Sequence, residues 1–140
     1  MQAHRYQDLL AWRKAIAFVQ AVYMASAQFP HEEMYGLKSQ MRRAAVSVPS
    51  NIAEGQGRAT RGEFQQFLGH ARGSLYEVET QVVIATGLGY LSGEESDRLL
   101  ADARNLGRVV NALIASLKPV SSRSPAQGRR TDNGQLTTDN

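Results

Sequence analysis

The sequence predicts an all-α protein: an up-down-up-down antiparallel four-helix bundle followed by a flexible C-terminal tail. Apolar residues recur every three or four positions along four long segments, which is typical of amphipathic helices. No strand-like alternation bounded by turns is present, and the connections between the helical segments are short, which favours antiparallel neighbours. With 140 residues and 42% hydrophobic residues, the chain has the size and composition of one globular domain.

The first two helices are expected before the glycine-rich segment that starts at Gly55. Helix 1 is expected from about residue 8 to residue 28, with the apolar stripe Leu9, Trp12, Ile16, Val19 and Tyr23. Helix 2 is expected over about residues 32–53, with the apolar stripe Leu37, Met41, Ala45, Val48 and Ile52. Pro49 removes a backbone donor and is expected to kink helix 2, which Gly55-Gln56-Gly57 then ends.

Two capping boxes mark the starts of the other helices. Helix 3 begins at Thr60-Arg61-Gly62-Glu63, stops at Gly87-Leu88-Gly89 and carries the apolar stripe Phe64, Phe67/Leu68, Ala71, Leu75, Val78, Val82 and Ala85. Helix 4 begins at Ser92-Gly93-Glu94-Glu95, ends at Lys118-Pro119 and carries Leu99, Ala103, Leu106, Val110, Leu113 and Leu117. Residues 1–118 therefore form the predicted bundle domain. Residues 119–140 are dominated by Pro, Ser, Gly, Arg, Thr, Asn and Gln and are predicted to be disordered.

Helices 1 and 3 carry more apolar residues than one inner seam needs. In helix 1, Leu10, Trp12, Phe18 and Val22 cannot all share one face with Leu9, Ile16, Val19 and Tyr23. Helix 3 offers both Phe64 and Phe67, and its end is apolar around most of its circumference at Val82, Val83 and Ile84. They indicate either a wide core-facing stripe or a second surface that is buried between subunits.

The composition excludes several kinds of active site. Without cysteine, the chain has no disulfide, no thiolate zinc site and no cysteine nucleophile. None of its three histidines follows a glutamate by three residues, as a di-metal carboxylate bundle requires, and Glu63 occupies the lysine position of a P-loop. We therefore predict no catalytic residue, no metal and no cofactor. The chain shows no secretory signal or membrane-spanning run, so we expect a cytoplasmic protein that makes no membrane contact.

The basic residues are concentrated in the middle of the chain. The formal net charge is only +3, but residues 34–72 hold six basic residues against two acidic ones. These six residues are our candidate nucleic-acid contacts, made mainly to phosphates: Lys38, Arg42, Arg43, Arg58, Arg61 and Arg72. No aromatic-rich platform for single strands is evident, so base-specific readout is not predicted.

Other interpretations of these basic residues stay open. Arg58 and Arg61 fit a turn with solvated arginines, and the alternative is an anion site beside the N-terminus of helix 3. Helix 2 carries a polar face of Gln40, Arg43, Ser47, Asn51 and Glu54. On that face Arg43 is either exposed to solvent or paired with Glu77 or Glu79 of helix 3.

Four stretches of the chain resemble a known family. They are Asp8-Leu9-Leu10-Ala11-Trp12, the long run YGLKSQMRRAAVSVPSNIAEG at 35–55, Gly73-Ser74-Leu75-Tyr76-Glu77-Val78-Glu79 and Leu88-Gly89-Tyr90-Leu91. Together they resemble the four-helix bundle proteins encoded in 23S rRNA intervening sequences, over about residues 6–118.

The resemblance implies a homopentamer around a central channel, and it assigns no catalytic residues. It also implies kinship with the accessory variability proteins of diversity-generating retroelements, similar pentamers that bind nucleic acid and a reverse transcriptase. We therefore predict a non-catalytic, homo-oligomeric bundle that binds RNA or DNA through phosphates. The alternative is a protein–protein adaptor that docks a reverse transcriptase or another polymerase and has no direct nucleic-acid role.

Overall fold

Four helices form the bundle. The computed structural model describes residue 6 and residues 9–117, in which α1 spans Leu10–Ser26, α2 Leu37–Gln56, α3 Arg61–Gly87 and α4 Gly93–Ser116. Each helix packs against the next, and α1 also packs against α4, whereas no diagonal pair of helices is in contact. This closed ring of neighbours confirms the predicted up-down-up-down bundle, and residues 9–117 contain no strand. The predicted tail, residues 119–140, lies outside the described residues.

Side-chain caps fix the starts of α3 and α4. The Thr60 hydroxyl accepts a hydrogen bond from the backbone N–H of Glu63 at 3.1 Å. At α4 the capping box is complete: Glu95 N–H donates to Ser92 Oγ at 3.0 Å, and Ser92 N–H donates to Glu95 Oε1 at 2.9 Å. Between these two helices Gly89 adopts a positive φ of 82°, a conformation that favours glycine, and it ends the chain reversal after α3.

The start of α2 differs from the prediction. Residues His31–Glu33 form a short 3₁₀ helix, and α2 begins at Leu37, five residues later than expected. The Glu33 carboxylate serves as the cap, because its Oε1 accepts the Leu37 N–H at 3.0 Å while its Oε2 accepts the Tyr90 hydroxyl at 3.0 Å. A Cβ on Gly36 would lie 2.8 Å from Glu33 Oε1, so glycine leaves room for this cap. The hydrogen bond to Glu33 raises the pKa of Tyr90 above its ordinary value.

The buried face of α1 is also different from the predicted stripe. The residues that it buries are Ala11, Ala15, Phe18, Val22 and Ser26, whereas Tyr23 is exposed. The helix is therefore rotated so that Phe18 and Val22 face the core, and it leaves Leu9, Trp12 and Val19 partly buried at the edges. The predicted stripes of α2, α3 and α4 are confirmed through their central residues.

Gly55 was expected to help end α2, but it lies inside the helix and is buried. A Cβ at this position would lie 2.8 Å from Phe67 Cβ and 2.9 Å from Phe64 Cδ1. Glycine is therefore required for the close approach of α2 and α3, and the helix ends at Gln56 with Gly57 as its C-cap. α2 remains one helix although Pro49 lies in its interior.

The polar face of α2 is partly used inside the bundle. The Ser47 hydroxyl lies 2.8 Å from the Ser74 hydroxyl of α3, and Asn51 Nδ2 donates to the Ser47 carbonyl oxygen at 2.8 Å. The first contact joins α2 and α3 through half-buried hydroxyl groups, and the second lies within α2. The face therefore stabilises the helix pair at its centre and meets solvent at Gln40 and Arg43.

Candidate nucleic-acid interface

Arg42 connects α2 to the C-terminal end of α1. Its Nε donates to Ser26 Oγ at 2.9 Å, and its Nη2 donates to the backbone carbonyl oxygen of Tyr23 at 2.9 Å. The guanidinium carbon also lies 4.3 Å from the centroid of the Tyr23 ring. The last carbonyls of a helix lack partners within the helix and carry partial negative charge, so a cation is stabilised there. Arg42 thus contributes to the packing of α1 on α2, besides adding positive charge to this surface.

A shallow groove lies beside Arg42, and we call it the α2 groove. It has a volume of about 610 Å³ and is lined by Tyr23, Met34, Lys38, Ser39, Arg42, Arg43 and Val46. Three of these seven residues are cationic and none is a carboxylate. Arg43 is exposed and donates from Nη2 to Ser39 Oγ of its own helix at 3.0 Å. The Arg43 side chain is therefore exposed to solvent and is not paired with Glu77 or Glu79, which decides between the two interpretations left open by the sequence.

Arg58 and Arg61 lie at the opposite end of α2, in and after the turn to α3. Arg58 Nη2 forms an ion pair with Glu54 Oε2 at 2.7 Å, and its guanidinium carbon lies 4.7 Å from the centroid of the Phe67 ring. Because Arg58 is paired with the Glu54 carboxylate and packs on the Phe67 ring, it contributes less positive electrostatic potential at the surface than an unpaired arginine. Arg61 is the exposed first residue of α3.

Arg72 belongs to a third place, the contact between α3 and α4. It is half-buried, and its Nη1 donates to Asn111 Oδ1 at 2.8 Å. At 1.5 Å per residue, Lys38 and Arg58 lie about 30 Å apart along α2. The six candidate residues therefore do not form one site. The structure brings together Lys38, Arg42 and Arg43, and it separates them from the other three.

Four residues of the groove were not among the sequence candidates: Tyr23, Met34, Ser39 and Val46. Tyr23 was assigned to the core stripe of α1, and Met34 precedes α2 in a turn that the sequence analysis included in the helix. A signal was present in the sequence, because α1 offers two sets of apolar residues that cannot share one face. Only the packing decides which set is exposed.

The residues that the structure describes were compared with two further kinds of site, a metal centre and a membrane span. Within residues 9–117, no three histidine, aspartate or glutamate side chains are grouped so that they could hold a metal ion. In the same part of the chain, none of the helices combines the length and the apolar character needed to cross a bilayer.

Comparison with known proteins identifies relatives by fold and by family. The chain is similar to a protein of unknown function from the S23 ribosomal protein family of Bacteroides thetaiotaomicron VPI-5482, whose crystal structure was determined at 1.70 Å resolution. The two structures share a TM-score of 0.69 at 18% sequence identity, over 76% of this chain and 96% of the other, so the likeness is one of fold. No functionally curated protein matches the sequence. The family model of the 23S rRNA-intervening sequence protein matches residues 7–112, most of the chain. The chain therefore belongs to the 23S rRNA-intervening sequence protein family.

Proposed function

We propose that this protein is a non-catalytic, homo-oligomeric helical bundle that binds RNA or DNA through phosphate contacts in the α2 groove. The observation that carries the proposal is the set of three cations, Lys38, Arg42 and Arg43, around one groove without a carboxylate. Phosphate contacts supply most of the sequence-independent affinity of a nucleic-acid-binding protein. Because RNA and DNA are the proposed partners, the proposed compartment is the cytoplasm.

The three cations have different roles in the proposal. Lys38 makes no hydrogen bond or ion pair with another described residue, so its ammonium group is free to meet a phosphate. Arg43 uses Nη2 on Ser39 and keeps its other nitrogens for a ligand. Arg42 is held by α1 and adds a fixed positive charge at the wall of the groove. Lys38 and Arg43 are therefore the residues to change in a binding test, since their replacement leaves the helix contacts of Arg42 intact.

A salt titration tests this proposal. Labelled structured RNA and duplex DNA are titrated with the wild type and with the double variant Lys38→Ala/Arg43→Ala. The log–log salt slope on duplex DNA is about −0.9 per neutralised phosphate, so the variant is expected to bind more weakly and with a shallower slope. The control is Arg104→Ala/Arg108→Ala, which removes two exposed arginines from α4 and lowers the net charge equally. Loss of binding in both double variants alike, or no binding by the wild type at about 50 mM salt, contradicts the proposal.

The homopentamer is proposed together with this function. The outward face of α3 carries an uncharged stripe at alternating spacings of four and three residues, and we call it the α3 stripe: Gly69, Gly73, Tyr76, Thr80, Val83 and Gly87. Tyr76 and Val83 are 57% and 60% exposed and lie two turns apart on this face. Glycine inside a helix costs about 1 kcal/mol relative to alanine. A Cβ on Gly69 or Gly73 would meet nothing within 4 Å, so packing within the bundle does not explain them.

Close approach of a second helix does explain this combination of glycines and large apolar residues, and it supports self-association through α3. Light scattering is expected to give the mass of five chains for the wild type. Val83→Lys is expected to lower that mass and keep the helical circular dichroism, whereas Ala112→Lys, on the exposed side of α4, leaves it unchanged. A wild-type mass equal to one chain refutes the proposal.

The same stripe favours a second candidate function, a protein–protein adaptor for a reverse transcriptase or another polymerase. In that case the α3 stripe or the surface of the assembled bundle contacts the partner, and the basic groove has no direct role. Two results together would favour the adaptor. The polymerase co-purifies with the wild type but not with Val83→Lys, and the salt titration shows no nucleic-acid binding.

A further inference from the structure

The α2 groove has an apolar side as well as a cationic one. Tyr23, Met34 and Val46 line it together with the three cations, and each of these large side chains keeps 39–40% of its surface exposed. Phosphate contacts alone do not require an exposed apolar wall. A ligand that is charged along one edge and apolar on the other matches both sides of this groove.

A nearly bare aromatic side chain follows one of the groove residues in the chain. Tyr35 is 90% exposed, and it follows the groove residue Met34 in the turn that opens α2. Its ring is therefore available to stack on a flat ligand, which is a sequence-tolerant interaction worth about 1–3 kcal/mol per base in proteins that bind single strands. No aromatic-rich platform for single strands was evident from the sequence, in which Tyr23 belongs to the predicted core stripe of helix 1.

We propose that the α2 groove binds an unpaired stretch of nucleic acid, with phosphates against Lys38 and Arg43 and a base stacked on Tyr35. This inference rests on the proposed nucleic-acid function and names the form of the ligand. A duplex keeps its bases stacked inside and offers the groove only phosphates, whereas an unpaired strand offers both phosphates and base faces.

The test compares labelled oligonucleotides of about 16 nucleotides, a length within the range of single-strand sites. One is a single strand, one is the corresponding duplex, and one is a single strand with abasic residues in its middle, which keeps every phosphate. At one salt concentration, the wild type is expected to bind the single strand at least tenfold more tightly than the duplex. The abasic strand is expected to lose about tenfold in affinity or more.

Substitution of Tyr35 then shows whether the ring makes the contact to the base. Tyr35→Ala is expected to lose about tenfold on the normal single strand and nothing further on the abasic one, because both changes remove the same contact. Tyr35→Phe keeps the ring and is expected to bind like the wild type. Met24→Ala, which shortens an exposed apolar residue of α1 outside the groove, is the control and is expected to have no effect. The side chain of Tyr35 is almost wholly in solvent, so its loss leaves the fold intact.

The outcomes separate this inference from the proposed function. Equal affinity for single strand and duplex, both weakened by Lys38→Ala/Arg43→Ala, overturns the inference and leaves phosphate binding in place. Unchanged binding of the single strand by Tyr35→Ala also overturns it. No binding of any oligonucleotide overturns both, and in that case a protein partner is the remaining occupant of the groove.

Discussion

The sharpest test of the packing is Gly55→Ala, a change of one methyl group where α2 and α3 touch. The added Cβ would lie 2.8 Å from Phe67 Cβ and 2.9 Å from Phe64 Cδ1, well inside the separation of about 3.5–4.0 Å at which carbon atoms attract. The Phe64 ring can rotate away, but Phe67 Cβ is bonded to the backbone of α3, so the two helices must move apart. Overpacking of this kind costs about 1–3 kcal/mol.

A gain opposes this cost, because alanine is favoured over glycine inside a helix by about 0.5–1 kcal/mol. Since the backbone must shift, we expect a net loss of about 1–2 kcal/mol in the free energy of unfolding. The melting temperature is then expected to fall by about 5 °C or more. Chemical denaturation followed by helical circular dichroism measures the loss, at a fixed protein concentration because assembly stabilises the folded state.

Gly107→Ala is the matched control. It makes the same substitution inside α4, where a Cβ would meet nothing within 4 Å, so only the gain of about 0.5–1 kcal/mol remains. The two variants should therefore change stability in opposite directions. If Gly55→Ala is as stable as the wild type or more stable, the close approach of α2 to α3 at this point is wrong.

Three further predictions follow from individual contacts. Arg42→Lys loses one of the two hydrogen bonds to α1 and is expected to lower the free energy of unfolding by about 1 kcal/mol in chemical denaturation. Arg43→Lys is the control and is expected to be nearly neutral, so equal effects of the two variants would contradict the role of Arg42. Gln81→Met removes a buried side-chain oxygen that has no hydrogen-bond partner among the described residues and is expected to stabilise the protein by about 1 kcal/mol, so a lower melting temperature would refute it. Ser92 N–H and the Gln28 amide donate hydrogen bonds to Glu95 and lower the pKa of its carboxyl below the ordinary value of 4.5. The ionised carboxylate therefore stabilises the fold above that pH, and its contribution is lost as the pH falls through the lowered pKa. The melting temperature of Glu95→Gln is therefore expected to be below that of the wild type at pH 7 and to approach it near pH 3; Glu94→Gln is the control, and a gap that persists at low pH would contradict the assignment.

The proposed binding and assembly surfaces lie on different parts of the bundle. The α2 groove is formed by α1, α2 and the turn between them, whereas the α3 stripe lies on the outward face of a helix that does not contact α1. Association through α3 would therefore leave the groove open, and each subunit of an assembly would present its own groove. An assembled protein would then bind a strand at several points, which raises affinity by increasing the effective concentration.

The sequence by itself determined the number of helices, their order and most of their ends. These features depend on local chemistry: the 3.6-residue period of apolar residues, the Ser92–Glu95 and Thr60 caps, and glycine at the positive φ of Gly89. The core stripes of α2 and α4 were predictable for the same reason, because each of these two helices has one dominant apolar face, and the α3 stripe was predictable through its regular spacing. The sequence also located the excess of positive charge.

Only the tertiary structure decided which residues share a surface. Tyr23 became a groove residue because α1 turns its alanines inward, and Glu33 became the cap of α2 because Tyr90, 57 residues later, holds its carboxylate. Gly55 became a packing residue rather than a stop because Phe64 and Phe67 approach it from α3. The six basic residues separated into three places because α2 is about 30 Å long and because Arg72 lies on α3, against Asn111 of α4. Each of these outcomes depends on a neighbour that is distant in the chain, and a helix that offers two apolar faces is oriented only by what packs against it.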